Sequence, residues 1–345
     1  MKRLTIVLAA ILVVCGLGYA DTATLIDFGK LEVDDQVGDK DLNGATAVDF
    51  SKSAGASYTE EEKAQMKISL AVSEWEVLLA SSSRNVANMR YSMTKPVTSK
   101  QFGTVLGARV HFPEAPFNSW AMIKPPFEIP AYQRPTKIEG GQLVEMEDDE
   151  ITDYNQSNDL EPGDLGHMTN NSKFDGYGVV KNVGIIKSLA LQVYGTKYPH
   201  GLSVRIKDQT GAEQDIFMGH LKFDGWKTLE WQNPNYVSEV RNRELRDFPL
   251  YPQSTPFIKL MGIIIHRDAA TIGGDFVVYI KDMQVKYDKA TIIVDRDIDD
   301  EAVWNIMTER EEARKAAEIE KVGNIQVLRY LEEKKKHVEV EAETE

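Results

Sequence analysis

Short runs rich in valine, isoleucine and aromatic residues recur along this chain, and turn signals separate them. Clear examples occupy residues 188–194, 202–206, 215–223, 226–231, 258–266 and 276–287. Asp224-Gly225, between two of these runs, is a strong signal for a two-residue hairpin. Strands spaced in this way without intervening helices favour an antiparallel β-sandwich or jelly roll. We therefore predict a mainly β, galactose-binding-like sandwich over residues 21–294.

Three stretches interrupt the strand pattern. Thr59 followed by Glu62 has the capping-box spacing, which predicts a short helix over residues 60–67. Residues 113–135 are dense in proline, which predicts loops or edge structure because proline cannot donate to a sheet ladder. Residues 139–173 are polar and acidic, and we interpret them as a long insertion.

The last fifty-one residues have a different composition. Residues 295–345 contain 9 Lys or Arg and 16 Asp or Glu, no proline, and Gly323 as their single glycine. Alanine among long charged residues favours helix. We predict a charged helical tail over 295–345, with helices at about 300–322 and 325–336 separated by Gly323. Its thin apolar stripe predicts docking on the sandwich or on a partner; the stripe consists of Val303, Ile306, Ala313, Ala317, Val327, Leu328 and Leu331.

The N-terminus has the layout of a secretory signal peptide. Lys2 and Arg3 precede an apolar run over residues 4–17, and small residues stand at positions 18 and 20. We predict a signal peptide over residues 1–20, cleaved between Ala20 and Asp21. A membrane anchor is the alternative, but the run is shorter than the roughly 20 residues that span a bilayer. Lipidation of Cys15 is a lesser option, because Val14 rather than a small residue precedes it.

Charge and cysteine content exclude several classes of protein. The chain has 40 Lys or Arg and 54 Asp or Glu, a net charge of −14, and one cysteine. Removal of residues 1–20 leaves a net charge of −16 and no cysteine, so burial of apolar side chains alone must stabilise the fold. We see no segregated basic patch, and therefore expect neither nucleic acid nor, after cleavage, a membrane as partner.

No motif in the sequence indicates catalysis, a cofactor or a metal. The six histidines show no zinc-hydrolase spacing, and no nucleophile elbow or phosphate-binding loop occurs. Residues 153–159 resemble half of a calcium loop but lack its glycine and its final glutamate. We therefore predict a protein that is not an enzyme, with no catalytic, cofactor-binding or metal-binding residues.

The aromatic residues leave one alternative open. Trp226, Trp231, Tyr194 and Tyr198 are the candidates for a sugar-stacking platform on one sandwich face. Trp226 and Trp231 are five residues apart, so a straight strand would direct them to opposite faces. We expect core and hairpin packing for these residues. A map of both tryptophans with His200 and His220 would discriminate a structural protein, a sugar-binding module and a jelly-roll hydrolase.

A set of ordered segments resembles a known family. Their order and spacing along nearly the whole chain are similar to the FlaA family, the outer layer (sheath) proteins of spirochaete periplasmic flagellar filaments. The segments are residues 25–28, 69–72, 75–77, 121–125, 129–132, 175–184, 198–202, 217–219, 251–256, 267–270 and 326–330.

The resemblance implies a structural subunit. Such a protein would be exported to the periplasm and would coat the flagellin-like core, supporting filament shape, stiffness and motility. Its partners would be the core flagellin subunits and neighbouring copies of itself, with the sandwich loops and the helical tail supplying the contacts. The alternative reading is a secreted carbohydrate-binding β-sandwich module of the cell envelope.

Overall fold

The described part of the chain consists mostly of β-strands, with two short helices among them and two helices at the C-terminal end. A computed structural model describes residues 21–38, 40–131, 136–139, 142–145, 174, 176–236, 256–290 and 300–344, with single positions at 150, 251, 253, 297 and 298. The strands are β1 (Asp21–Asp27), β2 (Asp35–Val37), β3 (Lys40–Leu42), β4 (Val48–Asp49), β5 (Lys67–Ile68), β6 (Glu76–Leu79), β7 (Met93–Ser99), β8 (Gly103–Phe112), β9 (Ser119–Lys124), β10 (Thr136–Glu139), β11 (Gln142–Glu145), β12 (Val179–Lys181), β13 (Val183–Thr196), β14 (Gly201–Asp208), β15 (Glu213–His220), β16 (Asp224–Gln232), β17 (Phe257–Arg267) and β18 (Gly274–Lys289). The helices are α1 (Glu60–Ala64), α2 (Val86–Tyr91), α3 (Asp300–Trp304) and α4 (Ile306–Thr344).

Two six-stranded antiparallel sheets form the body of the fold. Sheet 1 has the order β16-β13-β18-β8-β7, and β1 pairs with the same edge of β18 as β8 does. Sheet 2 has the order β15-β14-β17-β9-β6, and β12 shares an edge of β17 with β9. The predicted class, an antiparallel β-sandwich with a C-terminal helical extension, is confirmed.

At Asp224-Gly225, where the sequence predicted a tight hairpin, the chain instead passes from sheet 2 to sheet 1. β14 and β15 form a true hairpin around the turn at residues 209–212. The hairpin predicted at Asp224-Gly225 is wrong, because β15 belongs to sheet 2 and β16 to sheet 1. Gly225 has a φ of 91° and pairs with Gly195 of β13 inside sheet 1. A turn signal is local, and it does not specify which sheet the next strand joins.

The hydrophobic core lies between the inner faces of the sheets and continues to the tail. Leu191 and Val193 of sheet 1 and Val204 and Ile263 of sheet 2 are fully buried in one cluster. Ile319 and Val322 of α4 belong to the same cluster, as does Phe50 from the segment before α1. The tail therefore shares the core of the sandwich.

The short helix α1 agrees with its sequence signal. The Thr59 side chain accepts a hydrogen bond from the Glu62 backbone N–H, and the Glu62 carboxylate accepts one from the Thr59 N–H, which completes the capping box. The helix ends at Ala64, three residues earlier than predicted, because Lys67 and Ile68 form strand β5 with Val48 and Asp49.

The tail is divided at a different place from the one predicted. α4 is continuous through Gly323, so the expected break there is wrong. The interruption lies at Asn305, whose φ of 50° ends α3. Gly323 is buried, and a Cβ at this position would overlap the Cβ of Ser53 in the 3₁₀ helix Ser51–Ala54. The glycine allows the helix to approach the sandwich closely.

Some predicted features fall outside the described residues. These are the signal peptide over 1–20 and most of the acidic insertion, including the calcium-loop-like residues 153–159. None of the helices among the described residues combines the length and the apolar character needed to cross a bilayer.

We predict that Gly323→Leu destabilises the protein by at least about 2 kcal/mol, because the side chain overpacks the contact with Ser53. Asn324→Leu is the matched control, since Asn324 is exposed on the next position of the same helix. Urea denaturation followed by circular dichroism measures both. Equal midpoints for the two variants would contradict a close-packing role for Gly323.

Candidate functional site

The seam between α4 and the sandwich is the first candidate site, because it fixes the orientation of the tail. The buried positions of α4 lie mostly three or four residues apart, or two such steps, which places them on one helix face. They are Met307, Lys315, Ile319, Val322, Gly323 and Gln326. This face mixes charged and apolar residues, so a search for an apolar stripe does not find it.

A network of ion pairs crosses the seam beside the apolar contacts. The Lys259 Nζ of β17 lies 3.1 Å from Glu128 Oε1 and 3.0 Å from Glu318 Oε1. Lys207 of β14 also pairs with Glu128, at 3.0 Å. The second oxygen of Glu318 accepts the backbone N–H of Ala131 at 2.6 Å. Helix, loop and sheet are thus joined around one buried ammonium group.

Burial and neighbouring charges oppose each other in this network. Burial acts to raise the pKa of Glu128, but Lys259 and Lys207 outweigh it, and the pKa lies below its ordinary value. Burial is also the main reason that the pKa of Lys315 falls to about 8. The Arg314 guanidinium lies 5.1 Å from the centre of the Phe257 ring and donates to the Ala131 carbonyl.

Further contacts continue the seam toward the C-terminus. Arg329 pairs with Glu76 of β6 at 3.2 Å, and Lys334 pairs with Glu62 of α1. The rings of Tyr330 and Tyr58 meet edge to face at 6.4 Å. The half of α4 beyond Gly323 is therefore attached by side chains from two separate parts of the sandwich.

The predicted apolar stripe is only partly correct. Val327 packs against the core, but Val303 and Leu328 are exposed. Trp304, at the end of α3, is 66% exposed. The helices thus present apolar side chains to solvent on the side away from the seam.

The aromatic residues divide between the two faces of sheet 1. Trp231 packs against the core and lines a cavity of about 400 Å³ between the sheets, as core packing predicted. Trp226 and Tyr194 lie on the outer face, so core packing was wrong for these two. Trp226 meets Tyr194 at 5.5 Å and 76°, and Tyr194 meets Tyr279 at 5.8 Å and 77°. The rings stand edge to face, whereas a sugar platform requires coplanar rings.

The side chains of His200 and His220, which the structure describes, do not share a site. His220 is exposed beside Phe217 on sheet 2. His200 is 1% exposed and stacks on Phe276 at 4.3 Å. Among the described residues, neither nitrogen of His200 has a hydrogen-bond partner, and burial, aided by Arg267, lowers its pKa to about 4. No three His, Asp or Glu side chains in the described part of the chain are placed to hold a metal ion.

Comparison with known proteins identifies the family. Residues 39–296 match the family model described as flagellar filament outer layer protein FlaA. A flagellar filament outer layer protein of Spirochaeta aurantia is 46% identical, over 97% of this chain and 93% of the relative. The chain belongs to the FlaA family. The relative with the same name in Treponema pallidum is 44% identical, over 99% of this chain and 96% of its own length. The relative in Borreliella burgdorferi is 30% identical, over 82% of this chain and 73% of its own length.

Solved structures show a more distant likeness. A carbohydrate-binding module, TmCBM61 in complex with β-1,4-galactotriose, is 11% identical with a TM-score of 0.26, over 63% of this chain and 90% of the module. A family 11 carbohydrate-binding module of Clostridium thermocellum is 8% identical with a TM-score of 0.24, over 62% and 88%. Values this low support no inference about a shared ligand.

We predict that Glu318→Gln destabilises this FlaA-family protein by about 2 kcal/mol, because it leaves the buried Lys259 with one carboxylate partner. Glutamine can still accept the hydrogen bond from the Ala131 N–H, so the loss of stability measures the contribution of the Glu318 charge. Glu320→Gln, exposed on the same helix, should stay within about 0.5 kcal/mol of wild type. Urea titrations at neutral pH compare the three proteins, and a Glu318→Gln midpoint equal to that of the control would refute the assignment.

The second prediction at this site concerns pH. In the unfolded chain His200 binds a proton with its ordinary pKa of 6.5. In the folded protein the pKa of His200 is about 4, so the ring stays neutral until the pH approaches that value. The stability of the wild type therefore falls as pH drops below 6.5, by about 2 kcal/mol at pH 4.5 from this group alone. His200→Phe preserves the ring stack and removes this loss. If the free energy of unfolding falls by the same amount between pH 7 and 4.5 in the wild type and in His200→Phe, His200 is not the cause of the loss.

Proposed function

We propose that this chain is a structural subunit of the outer layer of a spirochaete periplasmic flagellar filament. The observation that carries the proposal is the 44–46% identity to flagellar filament outer layer proteins over nearly the full length of the chain. The antiparallel sandwich and the helix that shares its core form one packed unit, which suits a coat. Its function is to support filament shape and stiffness, and it performs no catalysis.

The protein contacts two kinds of partner in this proposal. One is the core flagellin of the filament, and the other is a neighbouring copy of the same chain. Repeated head-to-tail contacts between copies generate an open helical array, which is the symmetry of a coat on a filament. The exposed apolar side chains of α3 and α4, including Trp304 and Leu328, support a role for the tail in these contacts.

Export to the periplasm completes the proposal. The signal-peptide layout of residues 1–20 supports secretion and cleavage between Ala20 and Asp21. Asp21 is also the first residue of β1, and it pairs with Tyr287 of β18. Cleavage at this bond would keep residues 21–27, which pair with β18, in the exported protein.

We predict that deleting the gene yields filaments that lack an outer layer of density and bend more easily, because the coat adds stiffness. Cryo-electron imaging of purified filaments from deletion, wild-type and complemented cells measures layer and curvature. N-terminal sequencing of the protein from wild-type filaments should begin at Asp21. Identical cores, without added density in any of the strains, would contradict the proposal.

A further inference from the structure

Two long stretches of this acidic chain, residues 77–113 and 176–207, contain no acidic residue, and the longer of them carries an exposed helix. Residues 77–113 include Arg84, Arg90, Lys95, Lys100 and Arg109 but no aspartate or glutamate. The other residues of the chain carry 35 Lys or Arg and 54 Asp or Glu. Arg84, Arg90 and Lys95 are exposed. The longer stretch is therefore a locally positive part of an acidic chain, which the total charge conceals.

The helix α2 in this stretch turns its apolar side chains toward solvent. Val86 is 79% exposed, and Met89 and Tyr91 are 48% and 44% exposed. The polar Asn88 is the buried residue, and its amide donates to the Ser83 carbonyl. A surface helix normally buries its apolar face, so this inverted arrangement indicates that a partner covers the face.

The surrounding residues hold this face in a defined position. The side chain of Asn85 caps α2 by accepting from the Asn88 N–H at 2.7 Å. The Arg109 guanidinium lies 5.4 Å from the centre of the Tyr91 ring. Asp275 accepts two hydrogen bonds from Arg109, and His111 approaches the same carboxylate at 2.9 Å. A preorganised surface loses less entropy when it binds.

The next strand, β7, excludes one mode of contact. It lies at the edge of sheet 1, where an unpaired backbone could add a strand from another chain. Pro96 in its middle is exposed and has no N–H to donate. Pro96 therefore disfavours strand addition at this edge and favours contact through side chains, and arginine, methionine and tyrosine are the types enriched at protein interfaces.

We propose that the α2 surface, defined as Arg84, Val86, Met89, Arg90, Tyr91 and Lys95, docks on an acidic surface of a second copy of this chain. Charge complementarity selects this partner: the rest of the same chain carries a large excess of carboxylates. The contact joins two different surfaces, so it repeats head to tail and builds an open array. The inference rests on the proposed coat function and names the surface through which neighbouring subunits meet.

A matched pair of charge reversals tests the surface. Arg90→Glu/Lys95→Glu changes it, and Lys222→Glu/Lys286→Glu makes the same change in total charge at exposed positions elsewhere. Sedimentation velocity of the exported protein at low salt should show association that rises with concentration and weakens as salt is added. We expect the first variant to associate at least about tenfold more weakly than wild type and the control to remain close to it.

A crosslink identifies the occupant. Cys15 is the single cysteine and lies within the predicted signal peptide, so Val86→Cys gives the exported protein one thiol. A benzophenone maleimide attached there should produce, on illumination, a covalent dimer whose crosslinked peptide comes from an acidic segment. A product formed with the core flagellin alone, and no dimer, overturns the proposal.

Other outcomes separate this inference from the proposed function. A monomeric wild type at every concentration, or equal association by both double variants and wild type, overturns the inference. If both double variants associate equally weakly, the inference is also overturned, because total charge would then control assembly. In each case, cosedimentation of the wild type with core filaments would still support the coat function. If the wild type does not bind core filaments and the filaments show no outer layer of density, the coat function is contradicted as well.

Discussion

Leu191 and Val193 of sheet 1 share one buried core with Val204 and Ile263 of sheet 2, and the rest of the structure depends on this core. The exported chain as we propose it contains no cysteine, so no disulfide shares the task of holding the sheets together. The chain crosses between the two sheets after β6, β8, β12, β13, β15, β16 and β17, so many strands that follow one another in sequence lie on opposite sides of the same core. Burial of apolar surface is roughly proportional to area, and a sandwich of this size buries enough to be stable alone.

The tail is attached by a different kind of chemistry. Ile319 and Val322 enter the core, but Lys259, Glu128 and Glu318 surround them with charge. A buried ion pair adds little net stability compared with apolar packing, yet losing one partner is costly. The seam therefore specifies where α4 lies, and a fixed position is what a coat subunit needs if its tail contacts neighbours.

Several sequence predictions were correct because they rest on local or repetitive signals. Runs rich in β-branched residues identified β13, β14 and β17, and the capping box at Thr59 identified the start of α1. The signal at Asp224-Gly225 was misread because a tight turn can lead into either sheet. Gly323 was misread as a break because glycine has low helix propensity, whereas its role depends on Ser53, more than 250 residues away in the chain.

The sequence by itself determined the strand-rich class, the helical tail, the charge and the family, because these follow from periodicity, composition and the order of similar segments. Only the tertiary structure decided which face each side chain occupies. Trp226 and Trp231 occupy opposite faces of one strand, as their spacing of five residues predicts, but only the fold decided that Trp231 is the one that faces the core. The polar seam around Lys259 and the inverted face of α2 were also decided at this level, since each depends on residues that are distant in sequence and meet only when the sheets pack.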